Sequence, residues 1–460
     1  MNLFPAFRRG RGLSAIAGPV LRPADPGYAA ELAAFNTAFR LTPGLVVGAT
    51  SEADVITAVG VAAADGLPVA TKGTGHGVTA DVAAPVLIST RRLDGVTIDP
   101  HAATARVGAG ATWSQVVTAA AVHGLAPLCG SSTAIGVAGY TLGGGLGPLG
   151  RRHGFAADHV RRLRLVTADA RAHEIDADRA PELFWALRGA GKLGFGVVTE
   201  LELTLFPVTR LHGGGIFLPG EAATDVLHAW RQWAPTLPEE ASTSVAVVRL
   251  PVDPALPPAL RGATVTHLRY AHLGRPDEAR ALLAPMRAVA PVLVDGVDEL
   301  PYHAIDAVHG DRTDPHPVHE RGAALHTLPA AAVDALLAAG GPHVDLPLQM
   351  VELRWMGGAL ARPASVPNAV AGRDAACSLY VLGLLPDPPP GSAPTPDTEV
   401  AAAVGRVVDA LAPWSMGGAL PNFTGAEPPG ALWSARDRAQ LRILRRAVDP
   451  DGMFDGPPLP

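Results

Sequence analysis

The sequence predicts an α+β protein. Near its start a short apolar run, a capped helix and a second apolar run follow one another as in a βαβ unit. Two glycine-rich bends come next. Beyond Pro207, strands alternate with helices and hairpins, the pattern of an antiparallel sheet with helices packed on it. The chain has 460 residues, room for two or three such units at roughly 150 residues each. Hydrophobic residues are 48% and charged ones 17%, so a large core can be buried and global disorder is excluded. A net charge of -6 argues against a protein held on nucleic acid by a basic field. No apolar run reaches the ~18 residues of a membrane helix, so no membrane span is expected.

The elements follow in order. Residues 44–48 read as a buried strand. Ser51 with Asp54 reads as a helix cap for Glu52–Ala64, which stops at Gly66, and 68–71 is a second strand. Strands near 86–89, 96–99 and 104–108 come next, with Asp94-Gly95 as the turn between the first two. Thr112 can cap a helix over 113–122. After the glycine-rich stretch 130–154 come a strand at 160–166, a short helix at 181–187 and a half-buried strand at 197–206. In that last strand Leu201, Leu203 and Leu205 alternate with Glu200, Glu202 and Thr204. The second half reads as strands at 214–218, 243–250, 263–270, 347–355 and 376–384, with helices at 222–234, 276–288, 329–338 and 399–411. A proline-rich surface loop covers 386–396, and a last helix, about 434–447, ends at Asp449-Pro450.

Several familiar chemistries are absent. Segments 145–150 and 189–194 match a dinucleotide fingerprint by letter, but neither has the strand before and helix after that the motif needs. Leu193 follows Gly191-Lys192 where a phosphate-binding P-loop needs Ser or Thr, and there is no nucleophile elbow. Two cysteines, Cys129 and Cys377, make neither a disulfide framework nor a cysteine zinc site. His303, His309, His316, His319 and His326, with Asp311 and Asp314, read as a loop lining a pocket or facing solvent, with a metal-dependent hydrolase as the rival. Arg8, Arg9 and Arg11 precede an apolar stretch, 13–21, that Pro19 interrupts. It is a poor signal peptide, so a cytoplasmic location is expected, with twin-arginine export the alternative.

Two segments carry more. Lys72-Gly73-Thr74-Gly75-His76-Gly77-Val78 and Thr141-Leu142-Gly143-Gly144-Gly145-Leu146-Gly147 put successive glycines where backbone N–H groups can approach an anion. Each is expected between short strands, as the two sides of a pyrophosphate clamp.

With those segments, the chain resembles the FAD-linked oxidases of the berberine bridge enzyme type, within the vanillyl-alcohol-oxidase (PCMH-type) flavoprotein superfamily. The resemblance also rests on Ile135-Gly136-Val137-Ala138-Gly139-Tyr140, Ala157-Asp158-His159-Val160, the run from Glu182 to Gly189, Phe195-Gly196-Val197-Val198-Thr199, Gly357-Gly358-Ala359-Leu360, Asn422-Phe423 and Asp449-Pro450 with Phe454. It implies a two-subdomain FAD-binding domain over 37–208, an antiparallel-sheet substrate domain with helices on one face over 209–415, and a C-terminal segment, 416–460, returning to the FAD domain. It implies FAD bound covalently through His76. Ser132 stands where some relatives carry a second, cysteine link, so a single bond is expected, with Cys129 a small buried residue. Lys72, Gly73, Thr74, Gly75, His76, Gly77, Val78, Gly136, Thr141, Leu142, Gly143, Gly144 and Gly147 are the implied cofactor residues, with Val197 near the adenine and Asn422 by the flavin pyrimidine. Asp158 is expected to fix a loop.

The base is harder to place, because Leu420 stands where many relatives have tyrosine. Tyr380, the ionisable group on 376–384, and Glu352, on the strand before Gly357-Gly358, are the candidates. The implied activity is an oxidase taking a hydride from a small alcohol, sugar or secondary metabolite and passing electrons to O2, giving H2O2. Alternatives are a dehydrogenase with another acceptor and a redox-inactive flavin-binding protein.

Overall fold

The computed structural model describes residues 12–386, 398–425, 432–454 and 456. Arg8, Arg9, Arg11 and nearly all of the 386–396 loop lie outside them. Two sheets build the first half. A four-stranded sheet runs in the order Val20–Leu21, Leu45–Gly48, Val86–Ser89, Val69–Lys72, its last three strands parallel. Glu52–Ala64 is the helix the sequence predicts, and Ser51 Oγ accepts the Asp54 amide at 3.2 Å. The buried Asp54 carboxylate accepts the amides of Ala17, Gly18 and Thr50 and the Thr50 hydroxyl, tying the incoming chain to the helix start.

A five-stranded antiparallel sheet has the order Val96–Asp99, Thr104–Gly108, Val197–Thr204, Val160–Val166, Ala172–Asp176. Two expectations fail here. The strands at 86–89 and 96–99 belong to different sheets, so Asp94-Gly95 joins no hairpin. The second glycine-rich stretch does not lie between strands either: Val137–Leu142 and Gly150–His153 are helices. Six residues rich in small side chains carry little helical signal of their own. Burial of Val137 and Tyr140 in the core holds the first of these helices.

The second half is an eight-stranded antiparallel sheet in the order Val294–Asp295, Arg210–Pro219, Thr264–His272, Ala241–Arg249, Met350–Trp355, Cys377–Leu384, Val318–Leu325, with Asp298–Pro301 also paired to Arg210–Pro219. Helices Ala223–Trp233, Pro276–Arg287, Ala330–Gly340 and Thr398–Ala410 bury their apolar stripes on one face of it, against Ile216, Leu268, Val245, Leu353 and Leu379. The strand Val318–Leu325 corrects the loop expected for 303–326. Pro315, Pro317 and Gly322 mask it in sequence, and pairing along Cys377–Leu384 creates it.

The halves are joined at Arg151, a buried guanidinium. It donates to the carbonyls of Ala241 at 2.8 Å and Leu237 at 2.9 Å, and to that of Met356. After the last helix, Ala435–Val448, the chain returns to the first half. The Val69 amide donates to Met453 O at 2.8 Å, while Asp449 accepts the Met453 and Phe454 amides. Among the described residues no helix is long and apolar enough to cross a membrane.

Candidate active site and cofactor cradle

Between the first-half sheets and the uncovered face of the large sheet lies a cavity of about 1410 Å³, beyond the ~300–1,000 Å³ of an ordinary small-molecule pocket. Lys72 through Val78 line it. Among the described residues no acceptor meets the amide N–H of Thr74, Gly75, His76 or Gly77. Such a run of open amides is an anion cradle. Gly75 is needed for it: its φ is +80°, and a Cβ would lie 2.7 Å from Ala34. The cavity and these donors fit a dinucleotide with a diphosphate.

The His76 ring stacks on Phe35 at 4.2 Å, and its Nδ1 lies 3.0 Å from Thr74 Oγ1. Burial, with His316 nearby, lowers its pKa to about 4, so at neutral pH the ring is uncharged. Lys72 Nζ donates to Ala33 O at 2.7 Å, and burial draws it down to about 8.

The second side of the cradle is not the expected one. Gly136, Leu142, Val197 and Asn422 line the cavity, but Thr141, Gly143, Gly144 and Gly147 stand back from it. Their glycines serve packing: a Cβ on Gly143 would lie 2.0 Å from Asn422 Oδ1, and one on Gly147 1.9 Å from Cys129 O. The opposing wall is instead Gly130–Ser132, Ala138–Tyr140 and 189–194, the stretch that fails as a dinucleotide fingerprint. Asn422 is fixed by donating to Tyr140 O at 2.8 Å, while its Oδ1 accepts from Lys192 Nζ at 3.3 Å. Cys129 is buried beside Tyr302 at 3.2 Å with its thiol pushed up to about 12, as a small core residue. Asp158 fixes the loop from Asn368 to Arg373, accepting from both side chains.

The large sheet supplies the other wall. Its register places residues in rows across the strands. One row reads Arg269, Ser244, Arg354, Ser378. The next reads Phe217, His267, Ala246, Glu352, Tyr380. A third reads Val248, Met350, Leu382, Glu320. Here the expectation for Glu352 is corrected. It is fully buried, does not line the cavity, and its oxygens accept from Ser244 Oγ at 2.7 Å, Arg269 Nη1 at 2.5 Å and Arg354 Nε at 2.9 Å. Despite its burial, the two guanidiniums hold the carboxyl well below the usual carboxylate range, so it is an anchor and not a base.

Tyr380 does line the cavity, and its hydroxyl donates to Glu320, a residue the sequence reading misses. Burial raises the pKa of Glu320 and, more strongly, that of Tyr380. Leu420 is buried in an apolar cluster with Val370 and Ala375 and does not line the cavity. Arg269, Arg354, His267 and Lys192 also line the cavity and were not read as site residues. Alternation of His267 and Arg269 with Leu268 and Tyr270 was the available signal. Of the 303–326 histidines, His309 and His316 face the cavity while His303 and His326 are exposed. Among the described residues no group of three or more His, Cys, Asp or Glu is placed to hold a metal.

The FAD binding domain family matches residues 43–176. The (R)-6-hydroxynicotine oxidase of Paenarthrobacter nicotinovorans is 29% identical over 298 residues, 64% of this chain and 64% of that one. The match therefore spans less than two thirds of that relative's length. BBE-like 1 of Physcomitrella patens shares the fold with a TM-score of 0.83 at 18% identity, covering 98% of each chain. The glucooligosaccharide oxidase of Acremonium strictum, described with a 6-S-cysteinyl, 8α-N1-histidyl FAD, does so at 0.81, 18% identity and 97% of each chain.

Proposed function

We propose, for a chain that carries the FAD binding domain and is a relative of the FAD-linked oxidases of the vanillyl-alcohol-oxidase (PCMH-type) superfamily, a flavin-dependent oxidase of a small organic substrate that returns its electrons to O2 as H2O2. The observation that carries this reading is the run of open amides at Thr74–Gly77, with an uncharged His76 among them, facing a cavity whose far wall holds an acid–base pair. The amides and Lys72 would hold the diphosphate, and Gly136, Leu142, Val197 and Asn422 would border the rest of the cofactor. His76 would carry the covalent bond, and Ser132 leaves it single.

Bound FAD supplies a two-electron acceptor for hydride. The protein's part is proton management. Because the Tyr380 hydroxyl points its hydrogen at Glu320, an oxygen lone pair is left for a substrate O–H. The substrate proton passes to Tyr380 Oη as the tyrosine proton passes to Glu320, whose raised pKa suits it to hold one. A cytoplasmic enzyme tailoring secondary metabolites is the setting we propose.

The test is to precipitate the purified protein with acid and examine the pellet. We expect yellow, fluorescent flavin on the pellet from the wild type and in the supernatant from His76→Ala. A colourless preparation defeats the reading, while flavin that is bound but wholly released by acid defeats only the linkage. Slow reoxidation of the reduced protein in air would make it a dehydrogenase.

A further inference from the structure

We infer that the cavity takes a small amphipathic acid, its carboxylate met by Arg354 and Arg269 and its apolar body laid along Val248, Met350 and Leu382. This rests on the oxidoreductase reading of the same cavity and adds the class of substrate.

The rows of the large sheet carry it. Ser244 separates the two arginines, and both lean on the single carboxylate of Glu352 in the next row. That leaves donors turned to the cavity. Arg269 Nη2 has only Met350 Sδ, at 3.4 Å, and a thioether is a weak acceptor. Arg354 Nη1 has no partner among the described residues. Arg269 Nε donates to His267 Nδ1 at 3.2 Å, and Arg354 lies over the Phe423 ring at 5.0 Å, so both guanidiniums are held in place before any ligand arrives. Asp311 is the other acid at this end, and burial raises its pKa. Planar guanidinium edges match the two oxygens of a carboxylate.

Away from the arginines the wall changes character. The third row is apolar from Val248 through Met350 to Leu382 and ends at Glu320, which the Tyr380 hydroxyl engages; Leu250 and Leu256 continue its apolar end. Sugar hydroxyls laid there would lose water without gaining partners, which costs free energy. The row between the two ends carries Tyr380, so the carbon to be oxidised lies between an acidic head and an apolar body.

The experiment is calorimetric titration of the purified full chain with phenylacetate, phenylacetamide and phenethylamine, which share one ring and differ in charge. We expect phenylacetate to bind at least roughly tenfold more tightly than the amide. Arg354→Met should erase that preference and Arg354→Lys should keep part of it. Val248→Asp, in the same apolar row but with no contact to Arg269 or Arg354, should weaken phenylacetate without disturbing the arginines. Equal affinity for acid and amide, tighter binding of the amine, or no heat from any of the three overturns the inference. The visible spectrum of the same samples reports flavin separately. A colourless protein that still prefers the acid would therefore sink the redox reading and leave this one standing.

Discussion

Glu320 and Glu352 are both enclosed glutamates on the large sheet, and their surroundings give them opposite chemistry. Glu352 is locked as an anion by two guanidiniums, whereas Glu320 shares a proton with Tyr380 and has its pKa raised by burial. Alternation along a strand reveals which residues share a face but not which strands are neighbours. Glu320 lies 60 residues from Tyr380 in sequence, so their meeting was not legible. The glycine loop at 73–77 was legible because its chemistry is local; the second side of the cradle is assembled from three separate segments and was not. The consequence for rate is testable. Since the pKa of Glu320 is raised above 4.5, flavin reduction by a substrate alcohol should speed up as pH climbs and the carboxyl loses its proton. Glu320→Gln should slow that step by about 10²–10⁴-fold and remove the dependence, with little change in substrate affinity. Stopped-flow reduction across a pH series measures both.

At the level of single elements, the helix Glu52–Ala64 was predicted at both ends because its stop and start signals are chemical: Ser51 and Asp54 at one end, Gly66 just beyond the other. The cap does two jobs of unequal weight. Ser51→Ala removes one acceptor and should cost about 1 kcal/mol. Asp54→Ala strips the acceptor from three amides and a hydroxyl in a buried place, and should cost about 3 kcal/mol. Urea unfolding of the two variants gives the comparison, and equal losses would contradict the role assigned to Asp54. The strand Val318–Leu325 is the counter-example. Its pairing partner, not its own composition, makes it a strand, so a reading confined to local signals passes over it.

Taken as one body, the protein carries histidines buried in their neutral form. His153 is held at about 4, chiefly by burial, and burial likewise lowers His212, His267, His272 and His309. Unfolded, each would take up a proton near 6.5; folded, each resists until lower pH. Their contribution to stability is therefore complete above about pH 6.5 and drains away as pH falls toward 4. Thermal unfolding followed from pH 7 down to pH 4 should show the midpoint falling through that window, and a flat profile would refute the account.

The buried guanidinium of Arg151, set among carbonyls of Leu237, Ala241 and Met356, has a bearing on how molecules come and go. Prising the lobes apart would break these charge-assisted hydrogen bonds together, so the contact resists a clamshell motion. A route that leaves those bonds intact passes the rim, where Val252, 85% exposed, tops the 250–256 bend over the apolar end of the chamber.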